Sequence, residues 1–249
     1  LNLDEGGWET RAPSALAHSD GERPPQALSV AEIEALVKAF ADAAVRAKAL
    51  GIEAVELHAA HGYLLHQFLS PLANQRTDAY GGDFEGRVRF PLAVIAAVRA
   101  VFDGPVGFRI SATDWVEGGW SPEDTIEFCK RARALGADFA HISTAGVSPL
   151  QKIPAAPGFQ LPFAQMVKAA TGMPTIGVGL ITEASMAEAA VADGLVDLVA
   201  VARAVLFNPR WLWEVAAQLN GTIKGSPQFI RSLPPHARHI FGDVRIGMR

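Results

Sequence analysis

An α/β fold with a parallel sheet is predicted for this chain by three observations. From residue 28 onward, helical and strand periodicities alternate regularly. The strand segments are short, apolar and separated by helices, which is the pattern of parallel strands covered by helices. With 249 residues, of which 49% are hydrophobic and 19% charged, the chain can bury a sizeable core in one domain.

The elements follow in order. Residues 1–27, rich in Gly, Pro and Asp, read as a loop that follows a strand. Ser29 with Glu32 forms a capping box ahead of a helix over 30–50, in which Ile33, Leu36, Val37 and Phe40 recur at helical spacing and which Gly51 stops. A strand over 54–58 is joined by a long polar loop to a helix over 84–102. The next strand spans 105–110, and Ser121-Pro122-Glu123-Asp124 opens a helix over 121–135. Strands over 139–143, 174–178 and 198–201 are followed by helices over 163–170, 184–192 and 209–219. Residues 28–220 thus form helix and strand repeats, and 221–249 form a tail, all within one domain. The sum is five parallel strands and six helices. A (β/α)8 barrel requires eight strands at roughly 30 residues per unit. The chain is therefore either a barrel lacking its first three strands or an open five-stranded α/β sheet.

Composition narrows the function classes. A net charge of −4 argues against the broad basic surface that nucleic acids require. The single cysteine, Cys129, falls in a predicted helix and permits no internal disulfide, which fits a reducing cytoplasm. No apolar run is long enough to span a bilayer, and the first residues carry no signal-like core, so no membrane partner and a cytoplasmic location are expected.

The chemistry concentrates where the 54–58 strand gives way to its loop. His58-Ala59-Ala60-His61-Gly62-Tyr63 places two imidazoles and a phenol at the edge where β/α proteins bind ligands. His58 and His61 can aim N–H groups at one acceptor oxygen, and Tyr63 can supply a proton. The spacing equally allows a metal pair or two histidines satisfied by backbone. Alternation puts Glu56 and His58 on one face of the strand, so Glu56 needs a partner inside the barrel. Arg109, within an apolar strand, needs an ion pair or an anionic ligand, and it is expected to face the interior near Glu56 and His58. Gly177-Val178-Gly179 and Ala202-Arg203 close the last two strands, where small residues and a cation suit a phosphate.

The run from His58 through Asn74, Arg76, Asp78 and Tyr80 to Gly81-Gly82 resembles the old yellow enzyme family of FMN-dependent ene-reductases. The likeness extends through Phe108-Arg109-Ile110-Ser111-Ala112, Gly177 to Thr182 and Val201-Ala202-Arg203, covering nearly all of residues 8–220. Gly7-Trp8-Glu9-Thr10 is similar to the branch that includes xenobiotic reductases. The resemblance implies a TIM barrel, FMN as cofactor and NAD(P)H as electron source. It implies a substrate with a C=C bond activated by a carbonyl, whose oxygen His58 and His61 would bind while Tyr63 donates a proton. An ordinary phenol, with a pKa of about 10, carries that proton at neutral pH. It implies Arg109 beside the flavin, Gly179, Ala202 and Arg203 at the FMN phosphate, and Phe159 flanking the ring. Ala202 stands where the family usually has glycine. Asn74, Arg76, Asp78 and Tyr80 read chiefly as a self-bonded loop, and no metal ligand is assigned.

Two other functions are weighed. A metal-dependent barrel hydrolase would use His58, His61, His66 or His141, but Asp197 lies at the wrong end of its strand to complete the set. A non-catalytic module would keep the motif without a closed site. A homo-oligomer is expected, with the tail carrying Phe229, Arg231, Arg238 and Arg245 either docked on a neighbouring subunit or disordered.

Overall fold

Strand and helix alternate as the periodicities require, and the departures lie in short pieces. The protein is described by a computed structural model over residues 3–242. A 3-10 turn at Leu3–Glu5 leads to β1 (Arg11–Ala12) and β2 (Gln26–Ala27), which pair in parallel, so the expected opening loop contains a small ladder of its own. The capping box forms as expected, with Ser29 and Glu32 exchanging bonds at the start of α1 (Val30–Ala49). Then come β3 (Val55–Ala59), α2 (Leu64–Leu69), α3 (Phe84–Val101), β4 (Val106–Ser111), α4 (Pro122–Ala134) and β5 (Phe139–Ser143). The remainder is α5 (Leu161–Thr171), β6 (Thr175–Gly177), α6 (Ala184–Ala192), β7 (Leu198–Val199), α7 (Arg203–Phe207) and α8 (Trp211–Gln218).

Each of the five strands and six helices read from the sequence is present, with ends within two residues of those expected. Two helices were not anticipated. The segment 64–69 looked like part of a polar loop, yet Leu65, His66, Phe68 and Leu69 are buried against β3 and α3. At five residues, α7 is too short to show a period.

The main sheet runs β3-β4-β5-β6-β7, every neighbour parallel and consecutive in sequence. A doubly wound sheet reverses its order at a switch point. Consecutive order instead bends into the arc of a barrel, and right-handed crossovers then place the connecting helices on one side. Leu57, Phe108, Ile110, Ala140 and Ile142 face those helices and are buried in one continuous core. Fully burying a side chain such as Phe108 stabilises the fold by about 1.5–3 kcal/mol. The other face carries a row set by register: His58 lies opposite Arg109, Arg109 opposite His141, His141 opposite Ile176, and Ile176 opposite Leu198.

The described part of the tail, expected either docked on a neighbouring subunit or disordered, is folded on its own chain. Two 3-10 segments, Pro227–Ser232 and Pro235–Phe241, pack on α8 of their own chain through Leu233, Ala237, Ile240 and Phe241. Phe229 and Phe241 flank Trp213, with ring centroids at 5.6 and 5.1 Å. Arg245 lies outside the described residues. Among the described residues, no helix is long and apolar enough to cross a membrane.

Candidate active site

The chain leaves β3 through a backbone turn that few sequences can make. His61 and Gly62 both adopt left-handed conformations, at φ 58° and 76°. Gly62 is required twice over, because a Cβ there would sit 2.1 Å from the Gly146 carbonyl oxygen. Polar contacts hold every side of the turn. The His61 N–H donates to Ser111 Oγ at 3.0 Å, and that hydroxyl donates to the Ala145 carbonyl at 2.8 Å. The Gly62 N–H donates to His66 Nδ1 at 2.9 Å, while its carbonyl accepts from Gln67 Nε2 at 2.7 Å.

This turn gathers three rings. The His58 and His61 centroids are 5.3 Å apart, and His58 and Tyr63 are 5.0 Å apart. Tyr63 remains 63% exposed, so its hydroxyl is open to a ligand or to water. Burial is the chief cause that pushes the His61 imidazole down to about 4, with the Arg109 and His58 charges adding to it. His58 is lowered too, by burial first and then by Arg109, against the pull of Glu56. Neutral imidazoles each carry one N–H donor and one acceptor nitrogen. His61 Nε2 lies 2.7 Å from Ser143 Oγ. That hydroxyl can accept from Nε2–H, or donate to it and leave Nδ1–H for a ligand oxygen.

Arg109 faces the same side of the sheet as His58, as the alternation required. Glu56, however, finds its partner in His141, whose Nδ1 is 3.0 Å from the carboxylate, and no direct bond joins it to Arg109. From sequence alone, His141 stands out only as a candidate metal ligand. Its place two residues into β5, in phase with Arg109, is the signal that could have marked it as an interior residue. Arg109 Nε is buried without a hydrogen-bond partner among the described residues.

A cavity of about 280 Å³ joins the two halves of the predicted constellation. His61 and Arg109 line one end, and Gly179, Ala202 and Arg203 line the other. Phe159 contributes to its wall. His58 and Tyr63 are outside this lining. Gly179 sits at φ 126°, a conformation that favours glycine, whereas Ala202 sits at φ −116°, so its methyl costs nothing there. Sequence reasoning missed two members, Ser143 and Gln160. Gln160 is buried and its Oε1 accepts from Thr144 Oγ1 at 2.7 Å; it also lies 3.2 Å from Ser143 Oγ, whose one proton goes either there or to His61 Nε2.

The remaining residues singled out by sequence serve other ends. Arg76 clamps Asp78 and also donates to the Pro13 carbonyl, while Asn74 Nδ2 donates to the Phe68 and Tyr80 carbonyls. That loop is self-bonded in part and is also tied to Pro13, Ser14 and Leu28 of the opening segment. His66 is engaged by Asp114 and His141 by Glu56. Among the described residues, no group of three or more His, Cys, Asp or Glu is placed to hold a metal ion. Cys129 is buried in α4, and burial pushes its thiol up.

Comparison with known proteins places this arrangement. The sequence pattern of the NADH:flavin oxidoreductase / NADH oxidase family matches residues 5–222. An NADPH dehydrogenase of Geobacillus sp. (strain WCH70) is 43% identical over 223 residues, covering 90% of this chain and 65% of that protein. The chain thus spans a little under two thirds of the length of this relative. A 2-naphthoyl-CoA reductase bound to 2-naphthoyl-CoA superposes with a TM-score of 0.78 at 31% identity, over 84% of this chain and 33% of that one. An old yellow enzyme homologue from Zymomonas mobilis gives 0.69 at 26% identity, over 84% and 62%.

Proposed function

Since the chain belongs to the NADH:flavin oxidoreductase / NADH oxidase family, the old yellow enzyme family, we propose that it binds FMN, accepts electrons from NAD(P)H and reduces the C=C bond of an α,β-unsaturated carbonyl compound. The observation that carries this reading is the single cavity uniting His61 and Arg109 with Gly179, Ala202 and Arg203. The donor set suits FMN on its own chemistry. Arg109 offers a buried guanidinium nitrogen that has no protein partner among the described residues. Arg203 offers a cation, and the Gly179 backbone permits close approach of a phosphate. When bound, FMN would supply the hydride chemistry, and the protein supplies position and electrostatics.

The side-chain roles in this reading are those the family resemblance implies, and the geometry supports them. His58 and His61 donate N–H groups to the carbonyl oxygen of the substrate, drawing charge toward it and making the conjugated double bond electron-poor. Their low affinity for protons keeps them neutral near pH 7, so they bind the oxygen as hydrogen-bond donors. Tyr63, exposed beside His58, delivers a proton to the substrate carbon that does not receive hydride. Arg109, which lines the cavity with a buried, unpartnered guanidinium nitrogen among the described residues, would offer positive charge to the negative charge of a reduced flavin.

The test uses the full chain incubated with FMN, desalted and scanned in the visible. A retained flavin spectrum, bleached by NADPH under argon and restored by 2-cyclohexenone, supports the proposal. A folded chain that stays colourless refutes it and favours the non-catalytic module. With turnover in hand, His58→Ala should weaken binding of a phenol, an oxygen ligand for the two imidazoles, by about tenfold, the worth of one hydrogen bond to a developing charge.

A further inference from the structure

Beneath the His61 turn lies a buried pair that no step above uses, and we infer that His66 and Asp114 are positioning residues that set the direction of the His61 ring. The inference rests on the reading of His61 as a ligand donor. Both side chains are fully buried and 2.9 Å apart. His66 Nδ1 accepts the Gly62 N–H at 2.9 Å, so that nitrogen carries a lone pair and the ring proton sits on Nε2. Nε2–H therefore donates to Asp114 Oδ1. The other carboxylate oxygen accepts from Ser70 Oγ at 2.6 Å and from the Trp120 N–H at 2.7 Å. Asp114 is thus held on both oxygens, and its charge selects one tautomer of His66.

The selected tautomer matters because of where the Gly62 N–H lies. It belongs to the peptide plane that follows the His61 Cα, so its orientation is the ψ of His61. A histidine at φ 58° occupies a region that a residue with a Cβ avoids. Such a conformation persists only where its surroundings over-determine it. Ser111 holds the N–H before His61, and His66 holds the one after. With both peptide planes fixed, the Cα–Cβ direction of His61 is fixed, and the contact of Nε2 with Ser143 Oγ then holds the ring at the cavity. Asp114 comes from the loop after β4 and His66 from α2, so the pair also ties the first two catalytic-edge connections of the sheet together.

The experiment uses the full chain with FMN and the variants His66→Leu, His66→Asn and Asp114→Asn. The Leu variant removes the acceptor for the Gly62 N–H, and the Asn variant returns an acceptor oxygen near the Nδ1 position. Asp114→Asn keeps the shape but offers an amide donor that conflicts with either Trp120 N–H or His66 Nε2–H. Imidazole NMR resonances of His61 and His58 and the affinity for para-nitrophenol are read together. His61 resonances should move in His66→Leu and Asp114→Asn while those of His58 stay. Affinity for the phenol should fall about 10- to 100-fold, the penalty for a small misplacement, with FMN retained. His66→Asn should recover part of that loss. Unchanged His61 resonances in a folded His66→Leu, or in Asp114→Asn should the Leu variant fail to fold, overturn the inference, as does an Asn variant as impaired as Leu. If the wild-type chain binds no phenol, the functional reading fails, and the His61 resonances alone still decide the positioning role.

Discussion

The two ends of the cavity are built on opposite principles. At the β3 end, the peptide N–H groups of His61 and Gly62 and the Gly62 carbonyl each have a partner, and both members of the His66–Asp114 pair behind them are bonded. At the β7 end, Arg203 has no ion-pair or hydrogen-bond partner among the described residues, and α7 buries none of its five residues. The first end has its geometry decided by the protein alone. The second presents loosely held charge and open backbone, which suits a flexible and strongly charged phosphate more than a small neutral carbonyl. Chemistry needs sub-ångström placement, whereas anion capture needs field.

The comparison can be broken in several places. Tyr63→Phe removes the proposed proton donor beside the rigid end, and the proposed enone reduction should slow about 10²- to 10⁴-fold with little change in phenol affinity; an unchanged rate would move the proton source elsewhere. Gly62→Ala drives a methyl into the Gly146 carbonyl at a left-handed position. It should cost about 2–4 kcal/mol in denaturant unfolding, and a neutral effect would show that the turn is less locked than its bonds suggest. At the open end, Arg203→Ala should weaken FMN binding by about tenfold, more at low salt, because the interaction is charge-assisted and solvent-screened. A salt-independent result there would point to backbone groups as the main anion ligands.

The smallest effect concerns pH. His61 is held to about 4, below the ordinary imidazole value of about 6.5. As pH falls, the unfolded chain takes up that proton first, so folding stability is highest above pH 6.5 and declines toward pH 4. The thermal midpoint should drop across that window, and His61→Gln should flatten part of the slope. An identical profile in the variant would assign the acid sensitivity to other groups.

Legibility followed the same division. Helices with caps and periods, such as 30–49 with its Ser29 and Glu32 box, were readable because the signals are local. So were the facing residues His58 and Arg109, because alternation in a strand is a two-residue rule. The buried helix 64–69 was not, since six mostly apolar residues show no period and its helical state depends on packing against β3 and α3. Glu56 was known to need a partner, but choosing His141 over Arg109 took the lateral register of three strands.

By itself, then, the order of residues determined which segments are strand or helix, which side of each strand carries polar groups, and the family to which the chain belongs, because propensity, period and motif act over a few neighbours. Only the folded arrangement decided that Ser143 and Gln160 stand behind His61, that His66 turns inward to Asp114, and that the tail lies on α8. Those contacts join positions tens of residues apart, and their energies depend on burial and register, which no short window contains.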